Sequence, residues 1–300
     1  MSKRLAWGWA TAAGVLGAAL ASAAATESEP SWGDTAMPGT PAMAIGGHAR
    51  GCLAGAAPLP LDGPGYQVMR PSRNRFYGHP VAIDFVREFA AAMRAKGWNG
   101  LLVGDLGQPR GGPMGWGHRS HQTGLDIDIW FLPAPERALS PQEREEITAM
   151  SLVDEQGSAV NPANWTADYI ELLRTAAEFL QVDRIFVNAA IKQELCASVG
   201  DDRGWLAKIR PWWGHDDHFH VGLRCPEGEA ACIDRQPPVP AGDGCDGTLA
   251  WWFSEEAKEK LRELRAAPPR PLTLDDLPPA CRSVLAGSDE QVVPASGVGY

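Results

Sequence analysis

Basic charge is scarce in this chain. Lys and Arg number 27 against 37 Asp and Glu, for a formal net charge of −10, and no dense basic run occurs. Nucleic acids and anionic membrane surfaces reward Lys/Arg patches, so neither is expected as a partner. Several catalytic signatures are missing too. There is no Ser-x-x-Lys and no Gly-x-Ser-x-Gly, which leaves serine acyl-enzyme chemistry without a nucleophile. No His-Glu-x-x-His occurs, so a thermolysin-like zinc helix is excluded, and no Cys-x-x-Cys suggests a zinc ribbon or a dithiol redox site. The glycine-dense stretch from Gly104 to Gly117 lacks a Gly-Lys-Ser/Thr ending and is not read as phosphate-binding. Its glycines are expected to let the backbone turn tightly around the histidines that follow.

Long apolar runs are confined to the first residues. Lys3 and Arg4 precede an apolar segment from Leu5 to Leu20, and Ala21-Ser22-Ala23-Ala24-Ala25 supplies small residues for cleavage. That is the order of a secretory signal peptide, assigned to 1–25, with cleavage after Ala23 or Ala25. The segment is short for a membrane span and broken by Gly14 and Gly17, so no stable insertion is expected after cleavage. All six cysteines, Cys52, Cys196, Cys225, Cys232, Cys245 and Cys281, lie beyond it. An even number in an exported chain reads as three disulfides in an oxidising, periplasm-like compartment. Cys225 and Cys232 flank a loop with Pro226 and Gly228 and form the easiest local pair; spacing leaves the other four open.

Residues 26–64 are rich in Gly, Pro and Ala and are expected as an irregular lead-in. One core domain follows over 65–265, then a Pro-rich, extended tail over 266–300. Ala82, Phe85, Val86, Phe89 and Met93 recur at helical spacing with Gly97 as the stop. Leu101-Leu102-Val103 reads as a short buried strand. Leu125, Ile127, Ile129 and Phe131 alternate with Asp126, Asp128 and Trp130, a strand with one buried face. Ser140-Pro141 opens a helix expected to reach about Met150. Thr166 is expected to cap another, with Ile170, Leu173, Ala177 and Leu180 as its apolar stripe. Residues 184–188 and 218–224 read as further strands. The fold class is α+β, a single domain around a central antiparallel sheet.

Five of the seven histidines gather in two clusters, Gly117-His118-Arg119-Ser120-His121 and His215-Asp216-Asp217-His218-Phe219-His220. Strand residues two apart share a face, so His218 and His220 look into one space, as do Asp126 and Asp128. Two such strands side by side, with His121 supplied from the preceding loop, close a His/Asp/His site. Three ligands of this kind suit Zn²⁺ and leave a position for water. Periodicity cannot decide between the aspartates; the other one would orient an imidazole. Two histidines and a carboxylate also suit Fe(II), but an exported, disulfide-bearing chain favours redox-inert zinc. Calcium would want clustered oxygens instead. His79, before Pro80, reads as a structural turn residue. Trp212 and Trp213 are equally suited to walling a cleft and to core packing.

The run Ser120-His121-Gln122-Thr123-Gly124-Leu125-Asp126-Ile127-Asp128-Ile129, together with His215-Asp216-Asp217-His218-Phe219-His220-Val221, resembles the penicillin-insensitive murein endopeptidases. These are periplasmic zinc peptidases related to the lysostaphin-type and D-Ala-D-Ala-type metallopeptidases. Tyr66-Gln67-Val68-Met69-Arg70, Phe76-Tyr77-Gly78-His79-Pro80, Arg184-Ile185-Phe186-Val187-Asn188 and Ala190-Ile191-Lys192 extend the similarity, which runs from about Cys52 to Cys281. The resemblance implies His121, Asp128 and His220 as zinc ligands and His118 as a further candidate ligand. It implies His218 as the catalytic histidine beside the metal, with His215 as another active-site histidine. It also implies the pairs Cys52–Cys281, Cys196–Cys245 and Cys225–Cys232. The family's second Asp-x-x-His would fall on Gln156 and Ala159 here, which puts a second metal site in doubt. The implied activity is hydrolysis of the D-alanyl–meso-diaminopimelyl amide in peptidoglycan cross-links. A zinc D,D-carboxypeptidase and a non-catalytic zinc-stabilised murein-binding module are the rival readings, and a homodimer is compatible with the sequence.

Overall fold

The computed structural model describes residues 30–288; the signal segment assigned to 1–25 lies outside them. A hairpin opens the fold, β1 (Met43–Gly47) and β2 (Arg50–Ala54), with His48 and Ala49 at its turn. The short strands β3 (Ala57–Pro58), β4 (Asp62–Gly63), β5 (Tyr66–Val68) and β6 (Tyr77–Gly78) lead to helix α1 (Pro80–Ala95). Then come β7 (Leu101–Val103), β8 (Asp126–Trp130), α2 (Pro141–Glu146), α3 (Asp168–Glu178), β9 (Val182–Val187) and α4 (Ala189–Ser198). The chain ends through β10 (Ile209–Pro211), β11 (His218–Leu223), α5 (Gly247–Trp251), α6 (Glu255–Ala266) and α7 (Cys281–Ala286). None of the described helices is long and apolar enough to cross a membrane.

Seven strands form the main sheet in the order β10-β9-β11-β8-β7-β5-β4. The class is α+β as expected, but the sheet is mixed rather than antiparallel. β5 pairs with β7 and β9 with β10 in parallel. Each parallel pair is bridged by a helix, α1 in the first case and α4 in the second, which is the crossover that parallel strands require. The three middle pairings, β9-β11, β11-β8 and β8-β7, are antiparallel.

Alternation gives this sheet two faces of opposite character. Ile127, Ile129, Phe219, Val221, Leu223, Ile185, Val187 and Ile209 are all buried in the main core, packed with Phe85, Phe89 and Met93 of α1 and Leu172, Leu173 and Ala176 of α3. Phe89 and Phe131 meet Phe219 at ring-centroid distances of 6.3 and 5.5 Å. The intervening residues, Asp126, Asp128, His218, His220 and Phe186, share the other face. The apolar face fixes the register, because a one-residue slip would turn every carboxylate and imidazole into the core.

Several local expectations are corrected. The lead-in is irregular only over residues 30–42; beyond them β1 and β2 pack Ile45, Cys52 and Ala54 against Val284 and Cys281 of α7 in a second apolar cluster. Its Gly and Ala residues lack alternation in side-chain size, so the sequence carries no strand signal there. The described part of the Pro-rich tail likewise contains a helix, α7. Ser140 caps α2 through a capping box with Glu143, yet the helix stops at Glu146. Thr166 does not cap α3, whose N-cap is Ala167, and Leu180 lies past the helix end, 87% exposed. His79 is structural as expected: it caps α1 and its Nε2 lies 2.8 Å from Glu229.

Candidate metal centre

β8 and β11 run side by side in the register that pairs His220 with Asp128 and Gly222 with Asp126. The loop before β8 delivers His121, a fully buried residue held at φ 67°. A positive φ is uncommon for a non-glycine residue and is tolerated where the surroundings fix it. Here the His121 backbone N–H donates to Asp126 (2.9 Å) and its Nδ1–H donates to the Leu106 carbonyl (2.6 Å). The ring therefore presents Nε2, with its lone pair, to the centre. His220 is oriented the opposite way round. Its Nε2–H donates to Asp126 (2.8 Å), which in the neutral ring leaves the Nδ1 lone pair facing Asp128 Oδ1 and His121 Nε2, each at 3.1 Å. His121 Nε2 is 3.4 Å from Asp128 Oδ1. Burial opposes charge on His220, yet Asp126 and Asp128 raise its pKa, so these short contacts can be held by a proton on Nδ1, whose place a metal ion would take.

His118 joins this set. His118, His121 and Asp128 offer ligand atoms that all lie within 4.8 Å of one another. His118 Nε2 is 3.5 Å from Asp128 and 3.0 Å from Asp105. Asp105 is in turn gripped by Arg75 (3.0 Å) and Arg73 (3.3 Å).

The two aspartates of β8 are now distinguishable. Asp126 accepts from His48 Nδ1 (2.8 Å), His220, the His121 backbone and Arg235. Burial would raise its pKa, but the charges of Arg235, His48 and His220 outweigh it and hold the carboxyl well below its ordinary value. With its oxygens taken, Asp126 orients the imidazoles. Asp128 faces imidazoles only, with His118, His121, His218 and His220 all within 3.9 Å. Gly222, opposite Asp126, makes room for Arg235: a Cβ there would stand 3.0 Å from the Arg235 Nε.

His218 and His215 stand beside the centre without closing on it. His218 Nδ1–H donates to Asp217 (2.6 Å), and its Nε2 is 3.9 Å from Asp128. Burial opposes charge on this ring, yet Asp128, Asp217 and Asp216 push its pKa up to about 9. His215 Nδ1–H donates to the Trp213 carbonyl (3.0 Å). Burial, helped by the charges of His218 and His220, lowers its pKa to about 3. The two rings are 5.0 Å apart. Neighbouring groups driven to opposite protonation states are a common acid–base arrangement.

Sequence reasoning missed His48, Arg235 and Asp105. His48 sits in a stretch without periodicity and Arg235 in a polar loop, and no local pattern marks either one. Asp105, two residues past the buried run ending at Val103, had only the dense glycines around it as a signal. Trp212 is 47% exposed and meets Phe186 at 5.5 Å, so of the two tryptophans considered it walls the cleft side.

The model of the family described as penicillin-insensitive murein endopeptidase matches residues 44–286. The chain belongs to this family. Proteins named penicillin-insensitive murein endopeptidase from Klebsiella pneumoniae, Pectobacterium atrosepticum and Salmonella heidelberg are each 42% identical to it. The Klebsiella match covers 92% of this chain and 97% of its relative, the Pectobacterium match 90% and 93%, and the Salmonella match 86% and 89%. The family match begins inside β1 and ends with α7, so it spans the hairpin that carries His48 as well as the centre itself.

Proposed function

We propose that this chain is a zinc-dependent, periplasmic endopeptidase that hydrolyses the D-alanyl–meso-diaminopimelyl amide in peptidoglycan cross-links. Family membership supports the substrate. The observation that carries the chemistry is the convergence of His121 Nε2, His220 Nδ1 and Asp128 Oδ1, at 3.1, 3.1 and 3.4 Å from one another. Soft imidazole nitrogens with one carboxylate fit zinc, and the Leu106 carbonyl and Asp126 fix both tautomers, as partners of zinc-bound histidines commonly do. His118 is the fourth candidate ligand. When bound, zinc polarises a carbonyl and lowers the pKa of a coordinated water toward about 7.

His218 holds its proton on Nε2 at the edge of the centre and delivers it to the breaking amide. A divalent cation on Asp128 would offset the largest of the carboxylate contributions that raise His218, while Asp217 and Asp216 would continue to favour the protonated ring. His215 stays neutral, its Nδ1–H held by the Trp213 carbonyl, and its Nε2 can accept a hydrogen bond that orients the attacking water without taking its proton. A purely structural zinc site closes with four protein ligands and has no use for two further histidines, so this pair supports an enzyme over a binding module. The test is turnover of purified cross-linked muropeptides, followed chromatographically before chelation, after chelation and after zinc is returned. Loss and recovery are expected. Equal rates in all three states would overturn the zinc mechanism, and trimming of terminal D-alanine with dimers left intact would replace the endopeptidase by a carboxypeptidase.

A further inference from the structure

The polar face of the sheet continues past the metal centre. In register, Asp128 of β8 stands opposite His220 of β11, His220 opposite Phe186 of β9, and Phe186 opposite Arg210 of β10. The neighbouring row runs from Asp126 through Gly222 to Arg184. Beyond Phe186 this face opens into a cavity of about 690 Å³ lined by Arg50, Arg184, Arg210 and Arg235 together with His48 and Phe186. Four arginines around one cavity are conspicuous in a chain of net charge −10.

The cavity's own acid does not neutralise them. Asp234 is the carboxylate in the lining, and it accepts the Cys225 backbone N–H at 2.8 Å. Arg184 pairs with Asp183 (2.6 Å) and Arg235 with Asp126, but Arg50 and Arg210 have no ion pair among the described residues. Burial, and after it the charge of Arg184, holds the Arg210 guanidinium below its ordinary value against the opposing charge of Asp246. Arg235 Nε and His48 Nε2 are buried without a partner among the described residues, but neither atom faces the open cavity, so the subsite rests on the guanidinium groups that line it.

We propose that this cavity is an anion subsite that takes a free carboxylate of the peptide on one side of the scissile amide. The inference rests on the peptidase reading above and adds to it where the substrate's charge is bound. Strands lie about 4.8 Å apart, so Arg210 is roughly 10 Å along the sheet from His220. An extended peptide covers about 3.3 Å per residue, which places the recognised carboxylate about three residues from the metal centre. Planar guanidinium groups bind carboxylates through paired hydrogen bonds, and Phe186, with the Arg235 Cζ 5.5 Å from its ring centroid, gives the peptide an apolar floor.

The test compares a synthetic cross-linked peptide dimer carrying free carboxylates with the same dimer fully amidated. Affinities for the full chain are measured by calorimetry and rates by chromatography. The wild type should bind the acid form about tenfold more tightly. Arg210→Gln should erase that preference and raise KM about tenfold with kcat within about twofold, and Arg210→Lys should keep part of it. If Arg210→Gln fails to fold, Arg50→Gln at the exposed rim should reduce the same preference. Equal affinity of the wild type for both dimers would overturn the subsite, as would an unchanged preference in a folded Arg210→Gln. The two readings fail separately: a protein that cuts neither dimer sinks the peptidase reading while the acid-over-amide preference still reports on the subsite.

Discussion

Replacing Asp126 by asparagine should cost the protein its metal affinity and its stability together, whereas replacing Asp128 should cost it the metal alone. Both residues lie on one face of β8, and both face histidines. Their partners differ in one respect. Asp128 is surrounded by the imidazoles of His220, His121, His118 and His218, none of which carries an obligatory charge. Asp126 pairs with Arg235, which cannot. Asparagine at 126 also offers an NH₂ to donors that need acceptors, and it lets His220 turn its proton to Nδ1, the atom the centre uses. Losing such an orienting partner typically lowers metal affinity about 10–100-fold.

The stability term follows from the charge left behind. Breaking a buried ion pair from one side costs about 3–5 kcal/mol, because the other charge stays desolvated. The Arg235 side chain is 14% exposed and can recover some water, so the lower end, about 3 kcal/mol, is the fitting choice. In a domain of this size about 3 kcal/mol lowers Tm by roughly 6–12 °C. The assay is thermal unfolding of the metal-stripped proteins, with zinc affinity read by competition against a chromogenic chelator. Asp126→Asn should lose both quantities; Asp128→Asn should lose zinc binding and keep its apo Tm within about 3 °C. Equal apo Tm losses in the two variants, or zinc affinity unchanged in Asp126→Asn, would refute this division of labour.

His218→Ala should retain zinc by elemental analysis while kcat falls about 10²–10⁴-fold, the usual worth of a positioned proton donor; zinc lost in proportion to activity would make it a ligand instead. In the metal-stripped protein His215 stays neutral down to about pH 3, whereas in the unfolded chain it takes its proton near 6.5, so stability should fall as pH drops through that window. His215→Gln should flatten the fall by up to about 1.4 kcal/mol per pH unit in urea titrations, and an unchanged slope would assign the limb to other groups. The Cys52–Cys281 disulfide closes 229 positions and pins α7 to β2, so its double alanine variant should lose about 5.5 kcal/mol in the chain-entropy model. A loss under about 1 kcal/mol by denaturant titration would mean that the second apolar cluster holds these termini by itself.

The strands were legible wherever one face is buried. Alternation from Leu125 to Phe131 and from His218 to Leu223 fixes both the element and the direction of each side chain, so the pairing of an imidazole row with a carboxylate row follows from the sequence. All three disulfides match the order implied by the family resemblance. Legibility fails where tertiary contacts decide. Sheet direction was misread because the helices that carry β5 to β7 and β9 to β10 make those pairs parallel, and pairing order is not written in any one strand. The apolar stripe of α3 was drawn one turn too far, since Leu180 fits the period but lies beyond a helix that ends at Glu178.

The candidate ligands and the residues that orient them therefore differ in how they are encoded. His118, His121 and Asp128 lie within eleven positions of one another, and His218 and His220 share a strand face, so a reader of local pattern finds them. Asp126 is different: His48 reaches it across 78 positions and Arg235 across 109. Neither belongs to a motif, because each is brought in by something other than its neighbours in sequence. His48 is set at a two-residue hairpin turn whose strand β2 is tied by disulfide to α7, and Arg235 follows the Cys225–Cys232 loop and packs over the bare Cα of Gly222. The disulfides thus do more than brace termini: two of the three anchor the segments that fill the coordination of Asp126. That carboxylate sets the His220 tautomer, and the same His48 and Arg235 also line the arginine cavity. One buried aspartate couples the oxidised framework, the imidazole geometry and the cationic wall where we place substrate charge.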